Sequence, residues 1–238
     1  LFPLPHRRHY IQLMLLGLSG IVCYNIFFFK GLELIAAGRA SVIVAQNPIF
    51  IALFSAYFFQ ERLTVAKLFA VCLSVCGALV VITEGQLGEI FRDGFGSGEL
   101  YIFGCVASWV TYSLLGKVVM KTFSPLKAVT YSTLIGPLLL MFPAIAHDVF
   151  RQSLSYSMTQ WIGLGYLGLF GTVLGFLWFY QGIERIGPMK AGMFINIVPV
   201  SGILLGFLLL HEPLTASLFV GGLCVCGGVY LMNKSPNP

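Results

Sequence analysis

The sequence predicts an all-α membrane protein, a multi-span helical bundle built from two repeated units of opposite membrane orientation. The first observation is composition, because 58% of the residues are hydrophobic and only 10% are charged, whereas soluble domains carry about 25% charged residues. The second is a series of apolar runs, each long enough to cross a bilayer as a helix of about 20 residues. The third is an internal repeat, in which residues 27–82 correspond to residues 178–233.

Eight apolar runs are long enough to span the ~30 Å hydrocarbon core of a bilayer. They lack the alternation of apolar and polar residues that marks the strands of a membrane barrel, so each run is predicted to be a helix. Turn-forming and charged residues separate them. The predicted spans are residues 10–34, 38–59, 65–83, 99–119, 125–147, 160–183, 188–210 and 215–232.

The distribution of Lys and Arg predicts how these spans are oriented. If the segment before the first span is cytoplasmic, ten of the 14 Lys and Arg residues lie on the cytoplasmic side and four lie outside. Cytoplasmic loops of membrane proteins carry such an excess of basic residues. The four that are predicted to lie outside are Lys30, Arg39, Arg92 and Arg151.

The internal repeat aligns residues 27–82 with residues 178–233 at a constant shift of 151 positions, without a gap. Apolar matches would follow from membrane composition alone, so the matched Gly, Pro and Glu residues carry the signal. The segment "QERLT" at 60–64 corresponds to "HEPLT" at 211–215, where Pro213 prevents one continuous helix. Both segments are predicted to be turns between neighbouring spans.

The repeat divides the chain into a first unit, residues 1–84, and a second unit, residues 99–232. The spans 99–119 and 125–147 have no counterpart in the first unit. We therefore expect eight helices of an intact ten, with the first unit lacking its first two. Because five helices per unit is an odd number, the two units would cross the membrane in opposite directions. Inverted repeats of this kind recur in secondary transporters, whose substrate sites lie near the bilayer midplane at the repeat interface.

The repeated residues resemble the EamA module of the drug/metabolite transporter superfamily. Gln60 and His211 depart from the pattern, since the family usually has Gly there. The resemblance implies a carrier of small metabolites, often an exporter, in a plasma membrane that is usually bacterial. The pattern is Gly31-x-Glu33, Ala40, Pro48, Glu61-Arg62-Leu63-Thr64 and Gly77, and it recurs as Gly182-x-Glu184, Ala191, Pro199, Glu212-Pro213-Leu214-Thr215 and Gly228.

The matched prolines Pro48 and Pro199 lie in the middle of predicted spans. Each removes a backbone donor and so deprives the carbonyl of Val44 or Ile195 of its usual helical partner. Such sites are tolerated in membranes where neighbouring helices or a cavity satisfy the backbone. We expect helix kinks here, either beside a cavity or as simple packing kinks.

Polar side chains within the apolar spans are the candidates for a substrate site. A buried amide is unfavourable without a hydrogen-bond partner, and aromatic residues with a polar tip suit a cavity for a flat or amphipathic solute. The alternative is ordinary core or an interfacial aromatic belt, although belts lie at helix ends. The substrate-binding candidates are Tyr24, Asn25, Gln46, Asn47, Trp109, Tyr112 and Asn196.

One glycine pattern needs a separate interpretation. Gly163, Gly165 and Gly168 fit the spacing of a dinucleotide-binding loop, but they lie inside a predicted span and open no βαβ unit. We expect them to form a surface for close helix packing instead.

Together these features predict a secondary transporter that works by alternating access, and not an enzyme. No cofactor or metal is expected, because no His or carboxylate lies near Cys72 and Cys76 to complete a metal site. The expected partners are a small-molecule substrate and membrane lipid, without nucleic acid, and a homodimer is left open. A non-transporting membrane scaffold or receptor is the alternative function.

Overall fold

The computed structural model describes residues 9–83, 88, 96–146, 148–210 and 216–234. Regular secondary structure in these ranges is helical throughout. The predicted turn "HEPLT" at 211–215 lies outside the described residues. The helices are α1 (Tyr10–Leu32), α2 (Ala37–Val44), α3 (Asn47–Phe59), α4 (Val65–Thr83), α5 (Ser97–Val119), α6 (Pro125–Ala146), α7 (Val149–Ser153), α8 (Met158–Tyr166), α9 (Gly175–Met193), α10 (Ile197–Leu210) and α11 (Ala216–Lys234).

Seven helical stretches in the described ranges are long and apolar enough to cross a membrane. The first five and the last agree with predicted spans to within two residues at each end. The sixth, Met158–Ser201, has 44 residues, which as a straight helix would be about 66 Å long, roughly twice the hydrocarbon core. It is interrupted at Gly187, whose φ of 82° and ψ of 159° are not helical. This interruption falls where the sequence predicts a break, between residues 183 and 188.

Both matched prolines stand at the start of a helix, where the backbone is broken in the middle of a span. Helix α2 ends at Val44 and α3 begins at Asn47, so Pro48 is the second residue of α3. One 3₁₀ turn, Phe194–Asn196, separates α9 from α10, which has Pro199 in its first turn. The first N–H groups of a helix have no partner within that helix, so the missing N–H of proline is tolerated there.

Local irregularities also recur at the shift of 151 residues. A π-helical segment, Leu18–Cys23, lies within α1, and a second, Leu167–Leu174, joins α8 to α9. The regular helix resumes at Tyr24 and at Gly175, which are matched positions. Helices α4 and α11 have 19 residues each, and both of their ends are matched.

The packing of α4 against α11 is the most extensive contact between two described helices. It depends on glycine, because a Cβ atom added at Gly221 would lie 2.5 Å from the carbonyl oxygen of Gly77. Glycines in α8 and the π-helical segment behave differently. A Cβ atom at Gly163, Gly165 or Gly168 would meet no atom within 4 Å, so the predicted close packing is wrong for the part of the chain that the structure describes.

Candidate functional site

A cavity of about 370 Å³ lies beside the two broken helices. Four of the candidate residues from the sequence line it together with Pro199, namely Tyr24, Asn47, Trp109 and Asn196. These side chains come from α1, α3, α5 and the 3₁₀ turn before α10, so both predicted units contribute. The rest of the lining is apolar apart from Ser41, and consists of Phe28, Val44, Ala45, Ile82, Ile195 and Val198.

Asn47 is the first residue of α3 and is 2% exposed. Its Nδ2 donates to the carbonyl oxygen of Val44 at 2.9 Å, the carbonyl to which Pro48 has no N–H to donate. A carbonyl oxygen can only accept, so this bond fixes the orientation of the amide. The Oδ1 atom of Asn47 is buried and has no hydrogen-bond partner.

Asn196 is fully buried at the end of the 3₁₀ turn. Its Nδ2 lies 3.1 Å from Oγ of Ser74 in α4, and its Oδ1 is buried without a partner. A serine hydroxyl can donate as well as accept, so the amide could also be placed the other way round. In the orientation described, the Oδ1 atom of the Asn196 amide is the atom left without a partner.

Trp109 lies at the centre of an aromatic cluster. Its ring centroid is 5.3 Å from those of Tyr24, Phe176 and Phe179, distances typical of attractive ring contacts. Its indole Nε1 is buried without a hydrogen-bond partner. Trp109 also lines a second cavity of about 510 Å³, which contains Phe176 and Phe179 and lies along α9.

The cavity therefore combines three buried polar atoms without partners and walls of aromatic and aliphatic side chains. An unpaired buried polar group costs about 1–3 kcal/mol, and it is tolerated where a ligand or a second state supplies the partner. The Asn47 Oδ1 atom accepts and the Trp109 Nε1–H donates, while Asn196 offers one more polar atom. No charged side chain is among the described residues that line this cavity. Such a lining suits a small solute with hydrogen-bonding groups and an apolar body.

The other candidate residues lie outside this lining. Asn25 donates from Nδ2 to the carbonyl oxygen of Ile21 in its own helix at 2.7 Å. Gln46 lies in the turn between α2 and α3. The fully buried Tyr112 places its hydroxyl 3.2 Å from Oγ of Ser132. Pro48, the second residue of α3, follows Asn47 but is not among the residues that line the cavity.

Several contributing residues are not apparent from the sequence. Ser74 contacts Asn196 across 122 positions, and a single serine in an apolar helix gives no signal of its partner. Phe176 and Phe179 are two of 21 phenylalanines, so only the folded structure shows that they pack on Trp109. Their spacing of three residues places them on one helix face, which is the one signal that the sequence offers.

Comparison with known proteins gives consistent matches along the chain. The EamA-like transporter family matches residues 2–83 and 96–234. The chain is 28% identical to "Uncharacterized transporter YyaM" of Bacillus subtilis (strain 168), over 94% of this chain and 73% of that protein. It is 24% identical to "Probable terminal-alkyne amino-acid exporter" of Streptantibioticus cattleyicolor, over 97% of this chain and 75% of that protein.

A crystal structure of similar fold matches with a TM-score of 0.76 at 21% identity, over 92% of this chain and 74% of that one. At this level of identity the likeness concerns the fold alone. The helical architecture, the seven apolar stretches and the match over nearly the whole sequence lead to one conclusion. This chain is a multi-pass membrane protein that belongs to the EamA-like transporter family.

Proposed function

We propose that this protein is a secondary transporter that exports small metabolites, such as amino acids or their derivatives. The observation that carries the proposal is the cavity between the broken helices, where Asn47, Trp109 and Asn196 leave three buried polar atoms without partners. A transported solute would supply those partners on binding and give them up on release. Tyr24 would complete an aromatic wall for the apolar part of the solute.

The mechanism that we propose is alternating access between two inverted repeats, residues 1–84 and 99–232. Dividing Met158–Ser201 at Gly187 gives eight crossings among the described residues. The matched π-helical segments and the matched helix breaks support a structural repeat. The units would rock against each other around the cavity, which takes residues from both of them.

The inverted arrangement is supported by the surroundings of two matched positions. Ile35 contacts the first turn of α5, since a Cβ atom at Gly98 would lie 2.5 Å from its side chain. Its counterpart in the repeat, Ile186, lines a polar cavity together with Lys117 at the far end of α5. Matched positions at opposite ends of one spanning helix are expected of inverted repeats and not of parallel ones.

An amino acid or a derivative is the substrate class that we favour. One related protein is described as a terminal-alkyne amino-acid exporter, and a cavity of about 370 Å³ can hold a solute of that size. The transporter would act in the plasma membrane, in bacteria the inner membrane, surrounded by lipid. Because both repeats belong to one chain, the cycle requires no homodimer.

The proposal is tested by transport in membrane vesicles. Vesicles that contain the protein are loaded with a mixture of the common amino acids, and the efflux of each is followed by mass spectrometry. Asn47→Ala, Trp109→Ala and Asn196→Ala should each lower efflux of the transported compound by about fivefold or more, since losing one buried hydrogen bond to a solute is worth about 1 kcal/mol or more. Asn25→Ala is the matched control, because that amide already bonds within its own helix.

If all three variants transport as well as the control, the site assignment is wrong. A non-transporting scaffold or receptor is the alternative function. The scaffold or receptor hypothesis predicts that vesicles show no saturable counterflow with any solute in the mixture. The transporter hypothesis predicts a clear counterflow signal at the same amount of protein.

A further inference from the structure

Two ion pairs join the first repeat unit to the second at opposite ends of α5. Near the start of α5, the Nε atom of Arg39 lies 2.7 Å from Oε1 of Glu99. Near its end, the Nζ atom of Lys117 lies 2.5 Å from Oε1 of Glu61. The charges are reversed between the two ends, since α5 contributes the acid in the first pair and the base in the second.

The two pairs lie on either side of the candidate site. Along α5, Trp109 is about 15 Å from Glu99 and about 12 Å from Lys117, at 1.5 Å per residue. On the first unit, Asn47 lies between Arg39 and Glu61. Helices α2 and α3 form one wall of the cavity and contact α5, which forms the other. One ion pair therefore joins these two walls on each side of the cavity along α5.

The pair at the start of α5, which the basic-residue distribution places outside, is closely enclosed. The side chains of Arg39 and Glu99 are only 14% and 6% exposed. The Glu99 carboxylate also accepts the backbone N–H of Gly96 at 2.7 Å. Glu99 therefore caps its own helix while it binds Arg39, so its position on α5 is fixed.

The pair at the cytoplasmic end of α5 is more open. Lys117 and Glu61 are 29% and 23% exposed, and they border a polar cavity of about 390 Å³. Lys117 also lies 4.3 Å above the ring of Phe59, so two groups of the first unit bind it. Gly187 approaches the Glu61 carboxylate closely, and its positive φ is one that only glycine adopts readily. The Glu61–Lys117 pair therefore lies beside the helix interruption at Gly187, between the spans predicted at 160–183 and 188–210.

We propose that these two ion pairs are the gates of the transport path, with Arg39–Glu99 closing the external side and Glu61–Lys117 closing the cytoplasmic side. The proposal rests on the proposed transport function. Alternating access requires that one end of the path separates while the other stays closed. When the two walls separate, water can hydrate both charged side chains of an ion pair, so the contact can open and close again. A gate made of apolar side chains would expose hydrophobic surface to water on opening, which is unfavourable. Breaking one pair permanently should therefore favour the state that is open on that side.

The test measures from which side the cavity can be reached. Ala45, which lines the cavity, is replaced by Cys in a protein whose six natural cysteines are replaced by Ala. A membrane-impermeant maleimide is added to right-side-out and to inside-out vesicles, and the rate of labelling is compared. Glu61→Gln and Lys117→Gln should each raise labelling from the cytoplasmic side relative to the external side on the order of fivefold. Arg39→Gln should raise labelling from the external side instead.

Restoring the charges should restore the closed gate. The exchange Glu61→Lys with Lys117→Glu should return the cytoplasmic labelling rate to that of the parent, and Arg39→Lys should label more slowly from outside than Arg39→Gln. Glu184→Gln is the matched control, because Glu184 is an acid in the same polar cavity as Glu61 but lies in α9. Each variant is first shown to elute as one symmetrical peak in gel filtration.

The proposal is overturned if neutralising a pair changes labelling equally from both sides or from neither, or if the exchanged pair behaves like the single variants. Labelling requires no substrate, so this outcome can be told apart from a failure of the proposed function. Absence of counterflow from the parent protein would contradict transport itself, while one-sided labelling that the exchanged pair reverses would still support the gates.

Discussion

At the scale of single residues, Asn47 connects a broken backbone to a cavity. Its Nδ2 satisfies the carbonyl of Val44, which Pro48 cannot serve, and its Oδ1 has no partner in the same buried environment. The side chain thus has one half with a structural partner and one half without a partner, which we propose a solute would supply. A residue of this kind should affect stability and transport separately, depending on which half is removed.

We expect Asn47→Ala to destabilise the protein by about 1–3 kcal/mol, because it leaves the Val44 carbonyl without its side-chain partner. Asn47→Asp should be at least as destabilising, since it removes the donor and introduces a charge at a position that is 2% exposed. The measurement is unfolding in detergent, followed by circular dichroism as denaturant is added.

Asn25→Ala provides the comparison for this prediction. The Asn25 amide also donates to a carbonyl, but that carbonyl, on Ile21, is already within a continuous helix. Its loss should change the free energy of unfolding by less than about 1 kcal/mol. Equal destabilisation by Asn25→Ala and Asn47→Ala would show that the break at Pro48 gives Asn47 no special role.

The site residues that could be predicted from the sequence are those whose chemistry is out of place in an apolar run. Asn47 and Asn196 are amides in the middle of spans, and Trp109 is an aromatic residue too deep for an interfacial belt. Asn25 belongs to the same class, yet it bonds within its own helix. Sequence gives the polarity of a position but not the direction of its side chain. Ser74 was missed for the opposite reason, because its importance comes only from a partner in another helix.

At the scale of helices, hydrophobic length predicted most of the spans because a bilayer fixes how long an apolar run must be. The interruptions were harder to predict. Pro48 and Pro199 were expected to kink continuous helices, whereas the structure ends one helix before each of them and begins another. A proline restricts the residue before it and lacks a donor, and tertiary contacts decide whether the helix bends or stops.

The contact between α4 and α11 gives the clearest prediction about helix packing. A Cβ atom at Gly77 would lie 2.6 Å from the carbonyl oxygen of Gly221, and one at Gly228 would lie 2.6 Å from that of Ala70. These atoms belong to the backbone and cannot rotate away. We expect Gly77→Ala and Gly228→Ala each to destabilise the protein by about 1–3 kcal/mol, because the helices must move apart. Denaturation in mixed micelles measures the change.

Gly163→Ala is the matched control for packing. Gly163 is also a glycine in an apolar helix, but an added Cβ atom there would meet no atom within 4 Å. The substitution should leave stability unchanged or raise it by up to about 1 kcal/mol, through the higher helix propensity of alanine. If Gly163→Ala destabilises as much as Gly77→Ala, close backbone approach is not what these positions require.

At the scale of the whole molecule, the proposed repeat predicts how the parts are related. Residue patterns recur at one shift, and the π-helical segments and helix breaks recur within two residues of it. Inverted topology follows from this repeat only when the number of spans in each unit is odd. The repeat therefore predicts that matched positions lie on opposite sides of the membrane, which composition and hydropathy alone do not predict.

Leu34 and Arg185 are matched positions that can test this prediction of opposite sides, since both are exposed and lie near the ends of spans. Inverted repeats predict that Leu34→Cys is labelled by an impermeant maleimide from outside and Arg185→Cys from the cytoplasm. Parallel repeats predict labelling of both from one side. The two cysteines are introduced separately into the cysteine-free protein and probed in right-side-out and inside-out vesicles. Labelling from the same side would refute the inverted arrangement. It would also contradict the roles of the two ion pairs, because Leu34 lies beside the start of α5 and Arg185 borders the polar cavity at its end.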